Sequence, residues 1–336
     1  MEAASPTIGA ATPSATPAIG VGTWAWGNQL LWGYDPAQDG ELEACFRRCV
    51  ELGLVFVDTA DSYGTGRFAG RSESLLGRFC AALDPARRQG LIVATKLAPF
   101  PWRLGRRGFD AAFEASRSRL QGKLDRVQLH WSTARYFPWQ ELPLLEGLAD
   151  LVQEGRVEGL GVSNLGPRRL RWLHGHLAAR GVPLRSVQVQ LSLLSPDPIA
   201  PGGVAQVCRE LGIELIAYSP LALGLLARPA GAAPAFRGGP RSLLVRRVWS
   251  PIQPLLAAME AIAQSHGADL AAVALNWCRA HGALPLAGLR RVDQAEAAAA
   301  ALAWQLSESE RQDLDALSRA CVLAGGGMPG NPFQSA

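Results

Sequence analysis

LVFVDTADSYG, residues 54 to 64, is an apolar run that stops on a carboxylate and then turns. Val55, Phe56 and Val57 are the β-branched and aromatic types that suit a strand, and Asp58 ends it. Gly64 and Gly66 break the chain, and an amphipathic stretch from Ser72 to Leu83 follows. Strand, polar end and helical period together make one βα unit, and the unit recurs. Ala18 to Trp24 precedes a helical stretch from Gly40 to Leu52. LIVATK (91–96) precedes one over 109–121, DRVQLH (125–130) one over 141–154, and VEGLGVSN (157–164) one over 166–180. SVQVQLS (186–192) leads into 202–211, and IELIAYS (213–219) into helices near 251–266 and 268–281. ALPLAG (283–288) closes the series before an Ala-rich helix over 293–302.

Eight strand-to-helix units with right-handed crossovers predict a parallel sheet closed as a (β/α)8 TIM barrel. A doubly wound sheet would need fewer units, and no Gly-x-Gly-x-x-Gly turn follows any strand. The expected organisation is a flexible tail over 1–17, one barrel over 18–325 and a C-terminal tail over 326–336. The connection over 220–250 is too long for a simple turn and is expected to act as a lid or binding loop.

Composition narrows the function classes. The chain has 336 residues, 48% of them hydrophobic, enough to bury a large core. Net charge is +4 with no dense Lys/Arg block, which argues against nucleic acid as a partner. No apolar run reaches the roughly 18 to 20 residues needed to span a bilayer. The six cysteines form no Cys-x-x-Cys pair and read as free core thiols in a reducing compartment, with no metal site and no disulfide. A cytoplasmic protein is expected, with a plastid as the alternative if the Ala/Ser/Thr/Pro-rich start is a targeting remnant. His174 and His176 stand two apart on a helix, so they point to different sides and read as surface residues. The expected state is a monomer or weak homo-oligomer.

The strand ends carry the chemistry. In such a barrel the active site collects at their carboxyl ends. Read in order, these ends are Asp58, Lys96, His130, Ser163 and Asn164, Gln188, and Tyr218 and Ser219. A buried lysine and a buried carboxylate need partners, so Asp58 and Lys96 are expected to pair. Tyr63 offers a phenol whose ordinary pKa of about 10 is high for an acid near neutrality, and a nearby ammonium lowers it. His130 is placed to orient a carbonyl oxygen. Such a set protonates an oxygen while carbon accepts a hydride, which protein side chains cannot supply and which points to a nicotinamide donor. Trp26, Trp102 and Trp131, with Trp32 and Trp139, lie near loops after strands one, three and four and are expected to wall a small-molecule carbonyl site. Arg103 and Arg67 are candidates for attracting an acidic substrate, against a plainer role as solvated loop charges.

GLVFVDTADSYGTG, SESLLG, VATK, VQLHW, GRVEGLGVSN and IELIAYSPLALGLL occur in this order. Together they resemble the aldo-keto reductases over about residues 18–320, and most resemble the plant plastid-type and bacterial branch. That resemblance implies a tetrad of Asp58, Tyr63, Lys96 and His130, with Tyr63 as general acid, and NADPH lying across the barrel mouth. It further implies that Ser163, Asn164 and Gln188 hold the carboxamide and that Tyr218 stacks on the nicotinamide. Ser219, Leu221 and Gly224 would follow the pyrophosphate, and Gly22, Thr23 and Trp24 would back the nicotinamide end. Arg290 and Arg291 begin a helix, where an anion is favoured, and would take the 2′-phosphate, with Gln294 at the adenine. Ala287-Gly288, Ala298 and Leu191 depart from residues common in the family. The alternatives are an NAD(P)-dependent sugar or alcohol dehydrogenase, or a nucleotide-sensing regulatory subunit of the same fold that binds its partner through the basic segment 237–247.

Overall fold

The computed structural model describes residues 18–232, 240–332, 334 and 335. The expected tail over 1–17 and residues 237–239 of the basic segment at 237–247 lie outside the described residues. The strands are β1 (Gly20–Gly22), β2 (Phe56–Asp58), β3 (Ile92–Leu97), β4 (Arg126–Leu129), β5 (Gly159–Ser163), β6 (Leu184–Gln190), β7 (Glu214–Tyr218) and β8 (Ala283–Ala287). All eight pair in parallel, in sequence order, and β8 returns to β1 to close the barrel. The main helices following them are α1 (Asp39–Glu51), α2 (Arg71–Ala81), α3 (Asp110–Arg119), α4 (Pro138–Gln153), α5 (Pro167–Ala179), α6 (Val204–Leu211), α7 (Leu270–Ala280) and α8 (Val292–Ala300). The TIM barrel expected from the alternation is the observed fold.

Two features depart from the periodicity. Glu308–Cys321 is a further helix, started by a capping box in which Ser307 and Glu310 satisfy each other's backbone N–H groups. The 220–250 connection is not loop throughout: residues 240–249 form a helix. No helix among the described residues is long and apolar enough to cross a membrane.

The barrel interior is layered by the period of two along each strand. Phe56, Ala94, Ile216, Leu284 and Leu286 form an apolar cluster inside it. Two residues on from Phe56 and Ala94 stand Asp58 and Lys96, which therefore face the same interior one layer higher. Gly20 makes room below, since a Cβ there would lie 2.8 Å from Leu286 Cδ2 and 2.9 Å from Leu284 Cδ2.

Gly64 shapes the turn that presents Tyr63. Its φ is +107°, and an added Cβ would fall 1.9 Å from the Phe68 carbonyl oxygen. Gly64→Ala is therefore expected to cost about 3 kcal/mol. The midpoint of denaturant unfolding measures this, and an unchanged midpoint would show that the turn tolerates a side chain.

Candidate active site

Asp58, Lys96 and His130, from the ends of β2, β3 and β4, meet Tyr63 from the turn after β2 in one cavity. Lys96 Nζ donates to Asp58 Oδ2 at 2.5 Å and to the Thr59 carbonyl at 2.9 Å. The pair is sealed, with side-chain exposures of 1% and 3%. Lys96 Nζ also lies 4.8 Å from the centre of the Tyr63 ring, and that ring is 5.9 Å from the ring of His130. Ser62 Oγ stands 3.2 Å from His130 Nδ1.

Sequence reasoning missed Gln128. Its Nε2 donates to Asp58 Oδ1 at 3.0 Å, beside Gln188 Nε2, which donates to the same oxygen at 2.8 Å. The carboxylate is thus held on both oxygens. Gln128 precedes His130 by two residues, so the same inward face was legible in the strand's period. Gly161 on β5 leaves it space, because a Cβ there would come 2.9 Å from Gln128 Cγ.

Electrostatics follow from this burial. Burial works against the charge on Lys96, but Asp58 and Tyr63 outweigh it and raise the ammonium's pKa. Burial also raises the Tyr63 phenol above its ordinary value; Lys96 pulls it down, and Asp58 pushes it up again. The expected lowering of Tyr63 is thus overturned here, because desolvation of the phenolate exceeds the help from Lys96. Burial, followed by repulsion from Lys96, takes His130 well below its usual value, which leaves the imidazole neutral at physiological pH.

From this cluster a cavity of about 1180 Å³ runs to the start of α8. Ser163, Asn164, Gln188 and Tyr218 line its inner end, with Gly22 and Trp24 behind; Ser219, Leu221 and Gly224 line its middle, and Arg290, Arg291 and Gln294 its far end. Ala287 and Ala298 face it too. Ser219, Ala222 and Leu223 hold φ values of +53°, +46° and +58°, a run of strained backbone at the cavity edge.

A profile described as the aldo/keto reductase family matches residues 18–319. The chain belongs to the aldo/keto reductase family. It is 45% identical over 306 residues to a chloroplastic pyridoxal reductase of Arabidopsis thaliana, covering 90% of this chain and 83% of that one. An uncharacterized oxidoreductase of Mycobacterium tuberculosis is 34% identical over 314 residues, 90% of this chain and 89% of its own. Among solved structures, an aldo/keto reductase from Klebsiella pneumoniae in complex with NADP and acetate superposes with a TM-score of 0.68 at 25% identity, covering 96% of each chain.

Several peripheral expectations change in this aldo/keto reductase. Trp26 does not wall a pocket: it is fully buried, packs against Phe46 and Phe79, and donates its indole N–H to the Leu289 carbonyl at 3.0 Å. Trp102 is 73% exposed and stacks on Phe100. Trp131 stands beside the site, 5.0 Å from the His130 ring. Trp24 and Trp32 meet edge to face and do line the cavity. Thr23 lies one layer back, donating to the Asp58 carbonyl at 3.0 Å. Arg103 does not wait for an acidic substrate, since Asp61 holds it at 2.5 Å. Arg67 lies over the ring of Phe68.

The far end is also rearranged. Arg291 is gripped by the Asp293 carboxylate at 2.9 and 3.0 Å. Two positions apart at a helix start, the two residues form a pair that spacing alone does not suggest. Arg290 instead donates to the Trp32 carbonyl at 3.1 Å, and burial followed by its neighbour Arg291 lowers its pKa. Gln294 Oε1 accepts from the backbone N–H groups of Arg290 and Arg291, so it caps α8 as well as lining the cavity. Finally, the segment expected as a C-terminal tail returns across the mouth. Met328 N donates to the Leu194 carbonyl at 2.9 Å, and Ser335 N donates to the Asn164 carbonyl at 3.1 Å.

Proposed function

We propose that this chain reduces an aldehyde or ketone to an alcohol with NADPH, with Tyr63 as the general acid. The observation that carries the reading is one continuous cavity with an acid–ammonium–imidazole cluster at one end and arginines at the other. A dinucleotide fits such an elongated space, and the donors along it suit its parts: amides inside, strained backbone midway, guanidinium outside. The cofactor, when bound, supplies the hydride that no side chain can.

The residues divide the remaining work. Asp58, fixed by Gln128 and Gln188, holds Lys96 charged at a depth where an unpaired ammonium would be costly. Lys96 favours the phenolate left when Tyr63 gives its proton to the carbonyl oxygen. Neutral His130 orients that oxygen by hydrogen bonding rather than by charge. Ser163, Asn164 and Gln188 are the carboxamide ligands and Tyr218 the ring face. Trp24, Trp32 and Trp131 offer aromatic surface near the reacting end, which suits a planar aldehyde. Pyridoxal is therefore the first substrate to try, followed by methylglyoxal, simple aromatic aldehydes and aldoses. Steady-state NADPH oxidation over that panel tests the reading. Tight NADPH binding without turnover of any of them would overturn it in favour of a nucleotide-sensing role.

Arg290 is the 2′-phosphate ligand in this reading. Arg290→Ala is expected to raise the Kd for NADPH by about 10- to 150-fold, the loss of a hydrogen bond to a charged group, and to leave NADH binding unchanged. Arg291→Ala should change little, because Asp293 already engages that guanidinium. Fluorescence titration with both cofactors checks the pair, and equal losses for NADPH and NADH would remove the assignment.

A further inference from the structure

Asn164 is saturated by the protein itself. Its Nδ2 donates to the His130 carbonyl at 3.0 Å and to Ser163 Oγ at 3.1 Å. Its Oδ1 accepts from Tyr218 OH at 2.9 Å and from Asn331 Nδ2 at 2.8 Å. Two N–H groups and two lone pairs are all that a primary amide has. Asn331 Nδ2 closes the ring with a second hydrogen bond, to Tyr218 OH, at 2.8 Å. No position remains on Asn164 for another carboxamide.

We infer that Asn331 is an internal stand-in for the nicotinamide carboxamide, and that the C-terminal segment carrying it is a latch the cofactor must displace. The inference rests on the proposed cofactor reading. Three of the four partners of the Asn164 side chain belong to the barrel rim: Ser163 and Tyr218 end β5 and β7, and His130 directly follows β4. Asn331 belongs to the last residues of the chain, where its neighbours Gly330 and Pro332 are exposed. Of the four, it is the partner that can leave without moving a strand, and its amide then passes to water. The side chains match in kind, because each presents a –CONH2 group. Release of Asn331 works against the flanking hydrogen bonds from Met328 N to the Leu194 carbonyl at 2.9 Å and from Ser335 N to the Asn164 carbonyl at 3.1 Å, whereas the Gln190 Nε2 contact with the Pro329 carbonyl at 3.5 Å is long and adds little. Met328, Pro329 and Asn331 all border the cavity, so binding and latch opening draw on one space.

The test compares two ligands. NADP+ carries the nicotinamide, whereas adenosine 2′,5′-bisphosphate carries only the end that would lie near Arg290. Calorimetric titration of the full chain is made with wild type, Asn331→Leu, which keeps the volume but donates nothing, and Asn331→Ala. Both variants are expected to bind NADP+ about tenfold more tightly, with the bisphosphate unchanged. NADP+ affinity that is unchanged or weaker while the bisphosphate binds normally overturns the latch and leaves the cofactor reading standing. An equal change for both ligands also overturns it, since it marks a general structural effect. If wild type binds neither ligand, the cofactor reading fails and the latch fails with it.

Discussion

Tyr63→Phe is expected to lower kcat for carbonyl reduction by about 10²- to 10⁴-fold, the usual contribution of a positioned general acid. Only the hydroxyl is lost, so the ring that packs toward His130 and Lys96 remains and the Kd for NADPH should hold. Single-turnover kinetics with a saturating aldehyde separate the two quantities. Retention of wild-type kcat would discard Tyr63 as the acid. The pH dependence has a definite sign. Burial holds the phenol above its ordinary pKa of 10.0, so loss of the acid form begins only in alkaline solution. His130 is depressed well below 6.5, so neutral imidazole persists through mildly acidic pH. The wild-type rate of reduction should be flat between about pH 7 and 9, apart from effects on the cofactor.

Lys96→Met carries the second large effect, on stability as well as rate. It leaves the Asp58 carboxylate buried with two amide donors and no cation. Breaking one side of a buried ion pair costs about 3–5 kcal/mol. Urea unfolding should show that loss, and turnover should fall with it. The double variant Asp58→Asn/Lys96→Met replaces two charges by neutral groups and should regain much of the stability without the activity. If the double variant is as unstable as the sum of the single ones, the two residues are not coupled as described. Linkage fixes the pH window. The pKa of Lys96 is raised on folding, so its contribution is complete below 10.5 and is lost only as pH rises through the still higher folded value. The part of wild-type stability linked to Lys96 should therefore be constant across neutral pH.

The barrel was legible because each strand announces its own burial. LIVATK and LVFVD are apolar over a few residues, end on a charge and are followed by a helical period, and these signals are local. Asp58, Lys96 and His130 were legible for the same reason, as polar residues that break an apolar run at a predictable end, whereas Tyr63 stands on the following turn and was singled out by its phenol. Gln128 escaped because it lies within a strand rather than at its end, although its spacing from His130 marks the inward face. Helix 240–249 escaped because a stretch rich in Gly, Pro and Arg surrounds its start and hides the period.

What the sequence alone determined is the alternation of eight units and the chemical types set at their ends, since both follow from local periodicity and side-chain chemistry. Tertiary structure alone decided the partnerships. It placed Trp26 in the core rather than the pocket and tied Arg103 to Asp61. It also engaged Arg291 with Asp293 and brought Asn331 onto Asn164, 167 residues away. Closure of the barrel and the course of the loops set which distant groups meet, and no period along the chain encodes that distance.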